Sequence, residues 1–196
     1  LDEIINAMVG RTIYAEPKTH SNVAPDAPVV LEAKNLVSKD VKDVSFQLHK
    51  GEILGLAGLM GAGRTETARL IFGADPRTSG EIYKNGQQVT IRTPQDAVKA
   101  GIGYLSEDRK RFGLAIGLSI ADNTILAAAE DFCKMGVIDE QKVRQVTEEY
   151  IKKINIKTPS ISQLIRNLSG GNQQKVIIAK WLVRNCDVLI FDEPTR

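Results

Sequence analysis

Leu168-Ser169-Gly170-Gly171-Asn172-Gln173-Gln174-Lys175 is followed, one helix-length later, by Val188-Leu189-Ile190-Phe191-Asp192-Glu193-Pro194. In the first stretch a serine and two glycines open a helix that the pattern carries to about Val183. The unpaired N–H groups and partial positive charge of such a helix start suit an anion. The second stretch is a short, wholly apolar run, as expected of a strand buried on both faces. Its two acids then stand at the carboxyl edge of the sheet, where open α/β sheets bind ligands. Each stretch also has a plain structural reading, the first as a helix cap and the second as a solvated acidic turn. Their order and spacing make coincidence a poor explanation.

Working outward toward the N-terminus, Ile53–Ala57 is a second short apolar run, predicted to be a buried strand. It leads into Gly58-Leu59-Met60-Gly61-Ala62-Gly63-Arg64-Thr65-Glu66 and a helical run, Thr65–Phe72. The spacing matches the phosphate-loop pattern G-x-x-x-x-G-K-S/T. Gly58 and Gly63 fill its glycine slots and Thr65 its hydroxyl slot. Glycines are needed because backbone N–H groups must turn inward around phosphate with no side chain in the way. Thr65 would offer its oxygen to Mg2+. The lysine slot holds Arg64, which keeps the charge but replaces a compact ammonium with a planar fork. Phosphate attraction should persist while the geometry for fast phosphoryl transfer suffers. A glycine-rich turn with no ligand is the bland alternative.

Between and around these motifs the chain alternates. Strands are predicted at Val29–Leu36, Val44–Leu48 and Ile102–Leu105. A hairpin is expected about Asn85-Gly86, and a short helix over Pro94–Ala100, with Pro94 in its first turn and Gly101 just past its end. From about Ser106 to Asn167 the character turns helical, with Val143, Val146, Tyr150, Ile151 and Ile154 on one face of Asp139–Ile154; Tyr150 and Trp181 are expected in the core. Residues 1–28 differ: Pro17, Pro25 and Pro28 with few apolar residues read as a linker. Strand and helix in alternation predict an α/β sheet with an inserted helical lobe.

Composition narrows the function classes. The chain has 196 residues, 42% hydrophobic and 26% charged, with a net charge of +2, too balanced for a nucleic-acid binder. The longest apolar run, Ile53–Gly63, falls short of the ~20 residues of a membrane span. Cys133 and Cys186 are far apart, so neither a disulfide framework nor a zinc site is indicated.

Phosphate loop, LSGGN segment and strand-Asp-Glu, in that order, resemble an ATP-binding-cassette domain over 29–196. The resemblance implies a P-loop NTPase α/β fold with N-terminal antiparallel β strands and an inserted helical subdomain. It divides the chain into 1–28, the linker and tail of a preceding cassette; 29–105 and 168–196, an ATP-binding core truncated at the C-terminus; and 106–167, the helical subdomain. Gly103-Tyr104-Leu105-Ser106-Glu107-Asp108-Arg109-Lys110-Arg111 and Leu168–Lys175 are most similar to the second cassette of the two-cassette ATPases of bacterial monosaccharide importers. Met8-Val9-Gly10-Arg11 resembles the tail of the first. Pro76–Gly80 and Lys157–Ser160 favour ribose as the sugar, with galactose and xylose as alternatives.

In this family two cassettes sandwich ATP head to tail. Carried onto this chain, Gly58, Gly61, Ala62, Gly63, Arg64, Thr65 and Glu66 would hold ATP, Thr65, Asp192 and Glu107 would face Mg2+, and Glu193 would act on the attacking water. Ser169, Gly170, Gly171 and Asn172 would complete the site of the preceding cassette of the same polypeptide. Membrane permease subunits would dock on the cassette pair, and an external sugar-binding protein would act indirectly. The place of work would be the cytoplasmic face of the bacterial membrane.

Departures from the family pattern matter. Glu107 stands where the family has glutamine. Where the family usually stacks an aromatic ring on adenine, just upstream of Asp43, this chain has only Val37-Ser38-Lys39-Asp40-Val41. The family's γ-phosphate histidine would lie beyond Arg196; His20 and His49 are upstream and read as surface residues. The chain is therefore expected to bind nucleotide without turning it over alone, Arg64 making its own site slow or silent. A non-catalytic nucleotide-binding and dimerisation module is the alternative. A repair or translation cassette fits poorly with the charge balance and the short helical lobe. Arg109-Lys110-Arg111 reads as a solvated face, with permease docking as its functional alternative.

Overall fold

A computed structural model describes residues 23–194. The linker and preceding-cassette readings of the N-terminal segment fall mostly on residues outside that range. Within it, Val23–Pro28 forms a turn closed by Ala27 N–H donating to the Ala24 carbonyl at 3.0 Å.

Four strands make an antiparallel sheet in the order β2-β1-β3-β4: β1 (Val29–Val37), β2 (Val44–His49), β3 (Ser79–Lys84) and β4 (Gln87–Val89). Leu31 and Ala33 of β1 point to the core while Glu32 and Lys34 point out. The register then slips at Asn35, and Leu36 becomes the next buried residue. This is a β-bulge with Asn35 at φ 49°. Gly80 packs on it so closely that a Cβ there would lie 2.4 Å from the Asn35 carbonyl oxygen. The expected hairpin turn forms, with Asn85 at φ 50° and Gly86 at φ 79°, the paired left-handed residues of a type I′ turn.

A second sheet pairs β5 (Ile102–Leu105) in parallel with β8 (Val188–Phe191). It carries helix α1 (Arg64–Phe72) and helix α5 (Gly170–Arg184), and α2 (Pro94–Lys99) precedes β5. Thr93 and Asp96 form a capping box at the start of α2. A Cβ on Gly103 of β5 would sit 3.0 Å from the Trp181 ring, so glycine there lets α5 lie directly on the sheet. Phe72 of α1 stacks edge-on to Trp181, with centroids 5.9 Å apart. Trp181 is buried as expected; Tyr150 is only half-buried.

The Ile53–Ala57 expectation is corrected. This segment is not a strand, and Ile53 is 94% exposed. An apolar sequence becomes a buried strand only if neighbours pair with its backbone, and among the described residues none does. Instead a cavity of about 1140 Å³ separates Ile53, Leu54 and Leu56 from Leu189, Ile190 and Phe191 of β8. Consequently β8 is less buried than its sequence suggests, Phe191 being 46% exposed.

The intervening region holds α3 (Ile120–Ile125), α4 (Glu140–Lys153), short 3₁₀ turns and a small hairpin of β6 (Cys133–Lys134) and β7 (Val137–Ile138). That hairpin is unforeseen in the helical reading; its turn places Met135 and Gly136 in the left-handed region. Ile125, Ala128, Phe132 and Val143 form a separate small core. Ser119–Asp122 is a second capping box, and Asp139 caps α4 by accepting from Lys142 N–H.

Candidate nucleotide site

Gly58–Gly63 links the Ile53–Ala57 segment to α1. Ala62 N–H donates to the Leu59 carbonyl at 3.0 Å, closing a tight turn. A Cβ on Gly58 would come within 2.8 Å of the Ala62 methyl, which explains why this slot needs glycine. Gly61 and Gly63 have φ 79° and 83°. Gly63 ends in the left-handed conformation immediately before α1, and no side chain caps the helix. Its first N–H groups remain available to an anion. Glu66 lies half-buried in the first turn.

The loop meets the end of β8 at two contacts. Thr65 Oγ1 donates to Asp192 Oδ1 at 2.9 Å, and Arg64 Nη2 lies 3.2 Å from Glu193 Oε1. Asp192 is buried, its N–H donating to the Leu105 carbonyl at 2.9 Å. Its other oxygen, Oδ2, accepts from the Tyr104 hydroxyl at 2.8 Å. Burial, reinforced by that carboxylate, pushes the Tyr104 phenol above its ordinary range, so it remains a proton donor. Glu193 is exposed at φ 47°. Glu107, Asp192 and Glu193 line one small cavity with Arg109 and Gln174.

Among the described residues no group of three or more His, Cys, Asp or Glu side chains is arranged to hold a metal. The donor set nevertheless fits Mg2+. One hydroxyl and one carboxylate, both hard oxygens, meet beside a phosphate loop, and Mg2+ is commonly held by one or two carboxylates plus substrate phosphates.

Ser169–Asn172 stand elsewhere and line neither cavity. Ser169 precedes α5 without a side-chain cap bond. Its hydroxyl accepts from Asn172 Nδ2 at 3.0 Å, and Asn172 Oδ1 accepts from Lys157 N–H at 2.9 Å. Ser169, Gly170 and Gly171 are all exposed.

The solvated-face reading of Arg109-Lys110-Arg111 holds for the last two only. Arg109 is half-buried, and its Nη1 donates to the Gly170 carbonyl at 3.1 Å. The same loop is held at its far end, where Lys180 Nζ donates to the Gly113 carbonyl at 2.7 Å. Burial lowers the Lys180 amine to about 8. Sequence reading missed Tyr104, Arg109 and Lys180. The available signal was a hydroxyl-bearing ring in a wholly buried strand and a lysine among apolar residues of α5. Ser38–Val41, the segment without a stacking ring, is a turn closed by Ser38 N–H donating to the Val41 carbonyl at 2.9 Å, with Val41 buried.

A phosphate loop at an α/β sheet edge, an N-terminal antiparallel sheet and a helical insertion define a cassette-type P-loop NTPase. A nucleotide-free ATP-binding cassette matches at TM-score 0.68 and 19% identity, over 86% of this chain and 70% of its own. A dimeric cassette holding ADP and Pi matches at TM-score 0.67 and 22% identity, over 84% and 74%.

The chain belongs to the ABC transporter family, whose model matches residues 41–196. A ribose/galactose/methyl galactoside import ATP-binding protein of Burkholderia cenocepacia is 52% identical over all of this chain and 38% of its own length. A ribose import ATP-binding protein of Clostridium perfringens is 52% identical over all of this chain and 39% of its own. The chain thus spans well under half the length of these relatives. No helix among the described residues is long and apolar enough to cross a membrane.

Proposed function

We propose that this chain is one nucleotide-binding cassette of a bacterial importer that couples ATP binding and hydrolysis to monosaccharide uptake, ribose foremost and galactose next. The observation that carries the reading is the 2.9 Å contact between Thr65 and Asp192, 127 positions apart in sequence. It joins the phosphate loop to the acidic strand end. The relatives' sugar-import names supply the substrate class.

In this reading the N–H groups of Gly58–Gly63 and the start of α1 receive the ATP phosphates. Thr65 and Asp192 would hold Mg2+, with Glu107 facing the same space, and the ion would supply charge compensation at the phosphate oxygens. Glu193 orients or deprotonates the attacking water. Ser169, Gly170, Gly171 and Asn172 complete the ATP site of the preceding cassette of the same polypeptide. The exposure of Ser169, Gly170 and Gly171, which line neither cavity, supports that role. Permease subunits at the cytoplasmic face of the membrane are the direct partners and a sugar-binding protein the indirect one; no nucleic acid is involved.

Arg64 limits turnover. Its guanidinium is engaged with Glu193, the group required for water activation, so this cassette's own site is slow. That ion pair also favours the second reading, a cassette that binds nucleotide and dimerises without hydrolysing. Restoring the ammonium by Arg64→Lys in the full importer should raise the number of ATP sites that turn over. An unchanged site count would refute the assignment of slow turnover to Arg64.

A further inference from the structure

We propose that Tyr104 is the positioning residue for Asp192, fixing which carboxylate oxygen is presented to the metal of the nucleotide complex. The inference rests on the nucleotide-site reading above.

A terminal carboxylate torsion is broad and nearly two-fold, so an aspartate alone does not choose which oxygen it shows. Here both oxygens are assigned. Oδ2 accepts the Tyr104 proton at 2.8 Å and Oδ1 faces Thr65 Oγ1 at 2.9 Å. The main chain is fixed as well, because the Asp192 N–H donates to Leu105, the neighbour of Tyr104 on β5. One strand therefore holds both the backbone and the side chain of the carboxylate.

Tyr104 is itself tightly placed. It is buried, and its ring packs 5.3 Å from that of Phe72 on α1. Phe72 in turn meets Trp181 on α5. The carboxylate that faces the phosphate loop is thus oriented by an aromatic wedge between the helix after that loop and the helix after Ser169. Tyr104 acts through Asp192, the partner of its hydroxyl. Outer partners that orient a metal ligand typically contribute about 10- to 100-fold in metal affinity.

The test is binding of a fluorescent ATP analogue to the full chain, with Mg2+ and with EDTA, for the parent and Tyr104→Phe. The substitution keeps the ring and removes the hydroxyl. We expect affinity in Mg2+ to fall about tenfold while affinity in EDTA stays within about twofold of the parent. Thr65→Val, which removes the other oxygen partner, should show the same Mg2+-selective loss. Equal weakening in both conditions would make Tyr104 a packing residue and overturn the proposal, as would no change in either. A parent that binds no better with Mg2+ than with EDTA would overturn the nucleotide-site reading itself, and this proposal with it. A parent with a clear Mg2+ increment that Tyr104→Phe leaves intact overturns the positioning role alone.

Discussion

Lys180 lies 6% exposed in the middle of α5, and its charge should make stability depend on pH in a defined direction. Its Nζ donates to the Gly113 carbonyl and rests 4.9 Å from the Trp181 ring centroid. Those contacts do not offset desolvation, and the amine falls from 10.5 to about 8. A lysine depressed in the folded state is better tolerated neutral than charged. The unfolded chain then binds the extra proton between about pH 8 and 10.5, so stability rises with pH across that window. At about 1.4 kcal/mol per pH unit the rise is on the order of 3 kcal/mol, most of it complete by pH 10. Lys180→Met removes the titration and the charge while keeping most of the stem. At pH 7 it relieves a buried charge but deprives Gly113 of its donor, a loss of about 1–3 kcal/mol, so the two variants should lie within about 2 kcal/mol of each other. At pH 10 the difference should have moved about 3 kcal/mol in favour of lysine. Urea unfolding followed by Trp181, the single tryptophan, measures that difference at each pH. A parent-minus-variant difference that stays flat from pH 7 to 10 refutes the reasoning.

Three further substitutions have expected outcomes. Asn123→Ala removes a fully buried side chain that bonds Ala115 N–H, the Ala115 carbonyl and the Ser119 carbonyl; it should cost about 2–4 kcal/mol and accelerate hydrogen exchange at Ala115. Gly80→Ala places a methyl against the Asn35 carbonyl at φ 97°, which should cost about 3 kcal/mol in urea unfolding. Glu193→Gln releases Arg64 from its ion pair and removes a negative charge. An exposed pair contributes about 0.2–1 kcal/mol, so metal-free ATP should bind up to about fivefold tighter by isothermal titration, and unchanged affinity would show that Arg64 reaches phosphate regardless.

What the sequence made legible was whatever local chemistry decides. Asn85-Gly86 dictates its turn because both residues accept positive φ. Pro94 and Gly101 bracket α2 because each fits only one end of a helix. Gly58 and Gly63 mark the loop because a side chain would collide with Ala62 or strain the entry to α1. The failure at Ile53–Ala57 has the opposite cause. Apolar character signals that a segment would be buried, but burial needs partners distant in sequence, and a cavity lies between this segment and β8. The Cys133–Ile138 hairpin was hidden for a related reason. Two-residue strands are too short to show alternation, and only Gly136 betrayed the turn. Arg109 looked like part of a charge run because sequence shows charge but not the Gly170 carbonyl that receives it.

The two adjacent acids of the site are given different kinds of partner, and in the proposed reading that difference separates binding from turnover. Asp192 meets only neutral donors, Thr65 on one oxygen and Tyr104 on the other. Its negative charge is oriented but not compensated, which is the state that attracts a cation. Glu193 meets the guanidinium of Arg64, so one of its oxygens is already engaged by a positive group, which in the proposed reading weakens it as a base toward water. Had the arginine met Asp192 instead, metal binding would be the step opposed. A lysine at position 64 could rotate its ammonium toward phosphate on a flexible stem, whereas the planar fork of arginine suits a carboxylate. In the proposed reading, arginine at position 64 therefore acts on the later step, and ATP affinity and ATP turnover at this site should respond separately to changes at Tyr104 and at Arg64.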